Sequence, residues 1–247
     1  MDDFQKKLYQ LQAEVSLPEI DSQVREIKKI IATLVNQQVL NVAPAKLGFE
    51  PDILETLLKK RPQDKKSILI INNMLNNFRS YLSRKFGLWS LANLSTVRAI
   101  KESYHFQTGL ELMAGNAYWS KAFSEMGVKM IATDSFEWAK SSSTGNKPFF
   151  PTKNYEATQA IKKYANVDLI ICCWAPNFGK GDQQILNTYR KCCSSKTKLL
   201  FIGEKNGATN TSAFWKEAVE VNSKVIKRIN STFSSFDFIE EKIYEIK

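Results

Sequence analysis

The spacing of apolar positions changes character about two-fifths of the way along the 247-residue chain. Before that point apolar residues recur at helical intervals. Val24, Ile27, Ile30, Ile31, Leu34 and Val35 form one stripe behind a candidate cap at Asp21 or Ser22. Pro51 suits a first helical turn and is followed by Ile53, Leu54, Leu57 and Leu58. Ile68, Ile71, Met74 or Leu75, Phe78 and Leu82 make a further stripe, and a last helix is expected from about Ser95 through Val97 and Ile100. Residues 41–50 and 61–64 read as loops. The stripes are expected to be buried internally, so residues 1–103 are read as an all-helical N-terminal region. Phe86 to Asn93 (FGLWSLAN) is an aromatic, glycine-containing break that would lay Trp89 over the mouth of whatever pocket follows.

From about Tyr104 short apolar runs alternate with amphipathic segments, the pattern of a parallel sheet wound with helices. The stretch Gly109 to Asp134 is the clearest unit. Leu110, Leu112 and Met113 are too brief a run for a helix, and Ala114, Gly115, Asn116 and Ala117 supply a small-residue turn. Trp119, Ala122, Phe123 and Met126 then recur at helical spacing, with Gly127 where a helix-terminating glycine belongs. Val128 to Thr133 is a second apolar strand, with Asp134 at its carboxyl end, where open parallel sheets bind ligands.

These residues resemble the cofactor half of class I S-adenosylmethionine (SAM)-dependent methyltransferases. The family's acid-x-Gly-x-Gly-x-Gly loop falls on Glu111, Met113, Gly115 and Ala117, so one of its three glycines is present as glycine. The resemblance implies SAM as cofactor, held by Glu111, Met113, Gly115, Asn116, Ala117 and Asp134, with the acid of the second strand on the ribose. It implies a Rossmann-like, doubly wound, mostly parallel sheet over residues 104–247. A dinucleotide enzyme would instead need G-x-G-x-x-G, which this loop lacks.

A short third strand is expected within 149–154 and a helix over 155–164. Asn154 stands where the family carries an acid for the adenine amino group. Residues 168–174 (DLIICCW) form a continuous apolar run suited to the middle of a parallel sheet. The run ends in Trp174-Ala175-Pro176-Asn177-Phe178-Gly179, at the place of the catalytic loop in which amine-directed methyltransferases carry a polar residue, two prolines and an aromatic ring. The resemblance makes Pro176 and Asn177 candidate catalytic residues, puts Trp174 against the cofactor, and makes Trp89 and Phe178 candidate substrate contacts. A fifth strand over 199–203 ends at Glu204, a candidate base or cation binder. Thr211 or Ser212 is expected to cap a helix carrying Phe214, Trp215, Ala218 and Val219. Residues 224–229 and 236–246 alternate like a closing antiparallel pair. The polar run 137–147 reads as a loop beside the cofactor site.

Charge adds one feature. The net charge is +10, and residues 59–101 hold ten Lys/Arg against the single acid Asp64, a concentration that suits nucleic acid or another polyanion as well as it suits a solvated helix face. The four cysteines fall in two adjacent pairs, Cys172-Cys173 and Cys192-Cys193, without metal-ligand spacing, and read as buried free thiols. The only histidine, His105, precedes the first strand, on the side away from the ligand edge, so Ser-His-Asp and Cys-His chemistry lacks its base. No run approaches a membrane span and MDDFQKK lacks a signal peptide's regions, so a cytoplasmic protein is expected. The expectation is a methyltransferase with an unidentified amine or hydroxyl acceptor on nucleic acid, protein or a small molecule. Its competitor is a non-catalytic module that keeps the fold and binds nucleic acid or a partner.

Overall fold

A computed structural model describes residues 1–140 and 147–247. Six helices come first: α1 (Asp3–Val15), α2 (Pro18–Val35), α3 (Pro51–Lys60), α4 (Lys65–Asn76), α5 (Phe78–Phe86) and α6 (Leu94–Tyr104). The remainder runs β1 (Thr108–Leu112), α7 (Tyr118–Glu125), β2 (Lys129–Asp134), β3 (Thr152–Asn154), α8 (Ala157–Lys163), β4 (Leu169–Cys173), α9 (Gly181–Cys192), β5 (Lys198–Gly203), α10 (Ser212–Glu217), α11 (Lys224–Asn230) and β6 (Lys242–Ile246). The six strands form one sheet in the order β3-β2-β1-β4-β5-β6, all parallel except β6, which pairs antiparallel with β5. The expected α/β, doubly wound, Rossmann-like sheet preceded by helices is therefore what the chain forms.

Strand residues alternate between the two faces because successive side chains point to opposite sides. Leu169 and Ile171 of β4 and Leu200 and Ile202 of β5 join one apolar cluster, while Ile170, Cys172, Leu199 and Phe201 join the other. The first cluster continues without a break into the stripes of the N-terminal helices, from Leu8 through Ile30, Ile71 and Leu82 to Ile100. Ile20, Val24, Ile27, Ile30 and Leu34 of α2 are wholly buried, each contributing ~1.5–3 kcal/mol relative to exposure. The second cluster packs α8, α9 and α10 on the opposite face.

Four expectations are corrected. α2 starts at Pro18 in its first turn, not at Asp21 or Ser22, and Asp21 instead accepts a hydrogen bond from Gln12 Nε2 at 2.8 Å. The stripe from Ile68 to Leu82 is two helices, broken at Asn77, whose backbone (φ −98°, ψ 12°) turns the chain between α4 and α5. Residues 224–229 are helical: Ser223 caps Ile226 N–H, and Val225, Ile226 and Ile229 pack into the core at helical spacing, so only β6 closes the sheet. The cysteines are all free, but Cys192 is exposed at the end of α9 and only Cys172 is fully buried. Most of the 137–147 loop, residues 141–146, lies outside the described residues.

Among the described residues no helix is long and apolar enough to cross a membrane. The basic segment is largely engaged within the chain. Lys59 meets Glu55, Lys60 meets Glu19, Arg61 meets Asp64, Lys85 meets Asp2, Lys101 donates to the Met126 carbonyl, and Arg79 is buried.

Candidate active site

The strand order reverses between β1 and β4, because β1 leads outward to β2 while β4 leads outward to β5. Loops leaving the carboxyl ends of those two strands must diverge, and the crevice between them is where such sheets bind ligands. Here the diverging loops are 113–117 and 174–178. A cavity of about 990 Å³ opens between them, at the upper end of ordinary small-molecule sites (~300–1,000 Å³). A smaller cavity of about 230 Å³, between residues 46–50, Asn76 and Phe238, shares Asn76 and Phe238 with the large one.

The 113–117 loop has an unusual backbone. Met113, Gly115 and Ala117 all occupy the left-handed region, with φ of +52°, +52° and +56°. That conformation costs a non-glycine L-residue roughly 1–2 kcal/mol, so Met113 and Ala117 hold a backbone that glycine would adopt more readily. A Cβ built on Gly115 would have no atom within 4 Å, so this position faces open space. Asp134 braces the turn: its carboxylate accepts from Gly115 N–H at 2.9 Å and from Phe136 N–H at 2.7 Å. Each oxygen keeps a lone pair for another donor.

Glu111 lies beneath this loop, 2 % exposed, and accepts from Ser120 N–H in the first turn of α7 at 2.7 Å. Burial pushes its carboxyl from 4.5 up to about 7, against the pull of the Ser120 hydrogen bonding and with a smaller upward push from Asp134. Glu111 nevertheless borders the cavity, as do Met113, Asn116 and Asp134.

The opposite wall is built on Trp174, also left-handed at φ +55°. Its indole N–H donates to Glu241 Oε1 at 2.9 Å, and its ring stacks on Trp89 with centroids 5.3 Å apart and planes 19° apart. The Arg79 guanidinium sits 4.8 Å from the Trp174 ring. Arg79 in turn forms a two-pronged pair with Asp237 (2.7 and 2.9 Å), reaches Glu241 at 3.1 Å and donates to the Trp89 carbonyl. Burial works against the Arg79 charge, but the two carboxylates outweigh it and its protonated form is favoured. Burial also raises Glu241, with Arg79 opposing. The N-terminal helices, through Arg79 on α5, thus hold both tryptophans of the wall.

The remaining loop residues are fixed by the turn after β5. Asn210 N–H donates to Ala175 O at 2.9 Å, and Asn177 Nδ2 approaches Gly207 O at 3.4 Å. Glu204 accepts from Ala208 N–H at 2.8 Å and from Glu240 N–H at 3.0 Å, so its carboxylate shapes that turn.

Ten of the sequence candidates therefore meet around one cavity: Trp89, Glu111, Met113, Gly115, Asn116, Asp134, Trp174, Pro176, Asn177 and Phe178. Ala117, Asn154 and Glu204 are not on its wall. Ala117 is packed in the core as the residue before α7, Asn154 is exposed at the end of β3, and Tyr155 and Thr158 take the adjoining place on the wall. Arg79, Asp237 and Glu241 escape sequence reading. Arg79 is one basic residue among ten, and its partners lie 158 and 162 positions away.

No protein family matches this sequence, and no curated protein does. Among the solved structures it resembles are methyltransferases. They include a TehB-like SAM-dependent methyltransferase from Corynebacterium glutamicum (11% identity, 71% of this chain and 99% of that one, TM-score 0.43). The 1,6-didemethyltoxoflavin-N1-methyltransferase of Burkholderia thailandensis, solved with S-adenosylhomocysteine, gives 12%, 62%, 76% and 0.41 in the same order. The magnesium protoporphyrin IX methyltransferase of Synechocystis, solved with SAM, gives 10%, 72%, 95% and 0.41. At such identities and scores the fold assignment stands on this chain's own strand order.

Proposed function

We propose that this chain is a SAM-dependent methyltransferase whose acceptor is presented from the Trp174–Phe178 wall. The observation that carries the reading is the loop 113–117, left-handed at the three positions where the resembling family has glycines, with the Asp134 carboxylate beside it at the strand ends. The residues present fit the cofactor. The backbone at Gly115 is open to the cavity, and Asp134 has lone pairs for a pair of vicinal hydroxyls.

When bound, SAM supplies a methyl group already activated on a sulfonium, so the protein's task is to bind, orient and exclude water. Gly115 and Asn116 would line the cofactor on one side and Trp174 on the other, with Asp134 receiving its hydroxyls. On the acceptor side, Asn177 commits its Nδ2 toward Gly207 O and leaves Oδ1 to receive an N–H or O–H. Pro176 stiffens the chain there, and its bridge to Thr209 sets the loop's distance from the sheet.

Titration calorimetry with S-adenosylhomocysteine tests the cofactor site, and transfer of a radioactive methyl group to a component of a cell extract tests turnover. Heat, a thermal shift and a labelled product are expected. Silence in both calorimetry and thermal shift overturns the reading, and binding without labelling would favour the non-catalytic alternative.

A further inference from the structure

Four large aromatic rings are exposed in this protein among the described residues: Trp89 (49%), Trp138 (66%), Phe178 (64%) and Phe238 (69%). All four border the same cavity. The other exposed large apolar residues, Met1, Val35, Val42, Ile53, Leu69 and Val219, are aliphatic and lie elsewhere. Apolar side chains scattered singly over a surface require no explanation, but a convergence of rings at one opening does. The rings come from four separate segments: the break after α5, the turn after β2, the loop after β4 and the segment before β6. Tertiary folding assembles them, at the standing cost of keeping flat apolar surface wet.

The rings are not held alike. Trp89 lies on Trp174, which is fixed by Glu241 and Arg79, so its outer face is a held platform. Trp138 and Phe178 meet more loosely, 6.4 Å apart and tilted by 46°. The unpaired charge around them is negative on balance. Asp134 and Glu156 border the cavity against Arg84, while Asp237 and Arg79 neutralise each other and burial favours the neutral form of Glu111. Glu137 pairs with Lys140 at the rim. Ring faces attract flat π-systems and cations, and a carboxylate-rich wall disfavours phosphate.

We infer that the acceptor of the proposed methyl transfer is a planar aromatic or heteroaromatic small molecule, uncharged or cationic, gripped by Trp89, Trp138, Phe178 and Phe238. This rests on the methyltransferase reading and names the substrate class of that same site.

The test is calorimetry on the full chain saturated with S-adenosylhomocysteine, using isoquinolin-5-amine, tryptamine and quinolin-8-ol as ring probes. Cyclohexylamine serves as the non-aromatic amine, and a ten-residue single-stranded oligodeoxyadenylate as the polyanion. At least one ring probe should bind ten-fold or more tighter than cyclohexylamine. A double variant, Trp138→Ala with Phe178→Ala, should weaken that probe at least five-fold while S-adenosylhomocysteine affinity stays within two-fold, and Leu69→Ala should alter neither. The inference is overturned if no ring probe binds, if cyclohexylamine binds as well, if the double variant retains the probe or loses S-adenosylhomocysteine as well, or if the oligonucleotide binds tightest. Failure of S-adenosylhomocysteine itself to bind would instead strike the cofactor reading beneath it.

Discussion

Replacing Glu111 by Gln gives a stability change that varies with pH. In the folded chain burial holds this carboxyl at about 7, against 4.5 for an ordinary glutamate. The folded state therefore binds the proton more tightly than the unfolded state. Its contribution is fully present below about pH 4.5 and is lost as pH rises through about 7. At ~1.36 kcal/mol per pKa step the whole loss is about 3 kcal/mol, most of it between pH 5 and 8. Glutamine keeps an oxygen for Ser120 N–H and cannot ionise. Urea unfolding of both proteins at half-unit pH intervals isolates this group, since other titrations cancel in the difference. The variant should gain about 2–3 kcal/mol on the parent between pH 5 and 8. A difference that stays flat across that range would mean that Glu111 keeps an ordinary pKa and that its burial beneath the loop is misjudged.

Arg79→Met should destabilise by roughly 3–5 kcal/mol in the same unfolding assay, because Asp237 and Glu241 are left buried without their cation. Adding Asp237→Asn and Glu241→Gln should recover much of that loss, and tryptophan emission should report the disturbed Trp89–Trp174 stack. Gly203→Ala should cost ~1–3 kcal/mol by overpacking, since its Cβ would fall 2.2 Å from Thr209 Oγ1. Gly115→Ala meets nothing and should cost only the ~1–2 kcal/mol of a left-handed alanine, visible as a melting shift of several degrees. Asp134→Ala should weaken S-adenosylhomocysteine binding more than ten-fold by calorimetry. The loss of its two backbone hydrogen bonds should lower stability by about 1–3 kcal/mol.

Period and turn chemistry are local, and they determine much of this protein. The continuous apolar run 168–174 can only be an inner strand, and the Gly109–Asp134 unit places an acid, a tight turn and a second acid within 26 residues. Those segments fold as expected and bring six candidate residues to one opening: Glu111, Met113, Gly115, Asn116, Asp134 and Trp174. Where two periods fit the same residues, local reading failed. Lys224 to Ile229 satisfies both strand and helix, and packing of Ile229 into the core, with Ser223 as cap, decided for the helix.

Only the tertiary structure decided which charges are functional surface and which are internal struts. Arg79 carried no signal among its basic neighbours, because what distinguishes it is two carboxylates more than 150 positions away that burial forces it to meet. The same holds for the ring of exposed aromatics, whose four segments share nothing in sequence. A residue's partners across a fold depend on chain topology, which no window of neighbouring residues contains. The sequence by itself settled the five parallel strands, the 113–117 turn and the acids Glu111 and Asp134. The sheet's reversal between β1 and β4, and the helical cover that presses Arg79 against Trp174, turned them into a site.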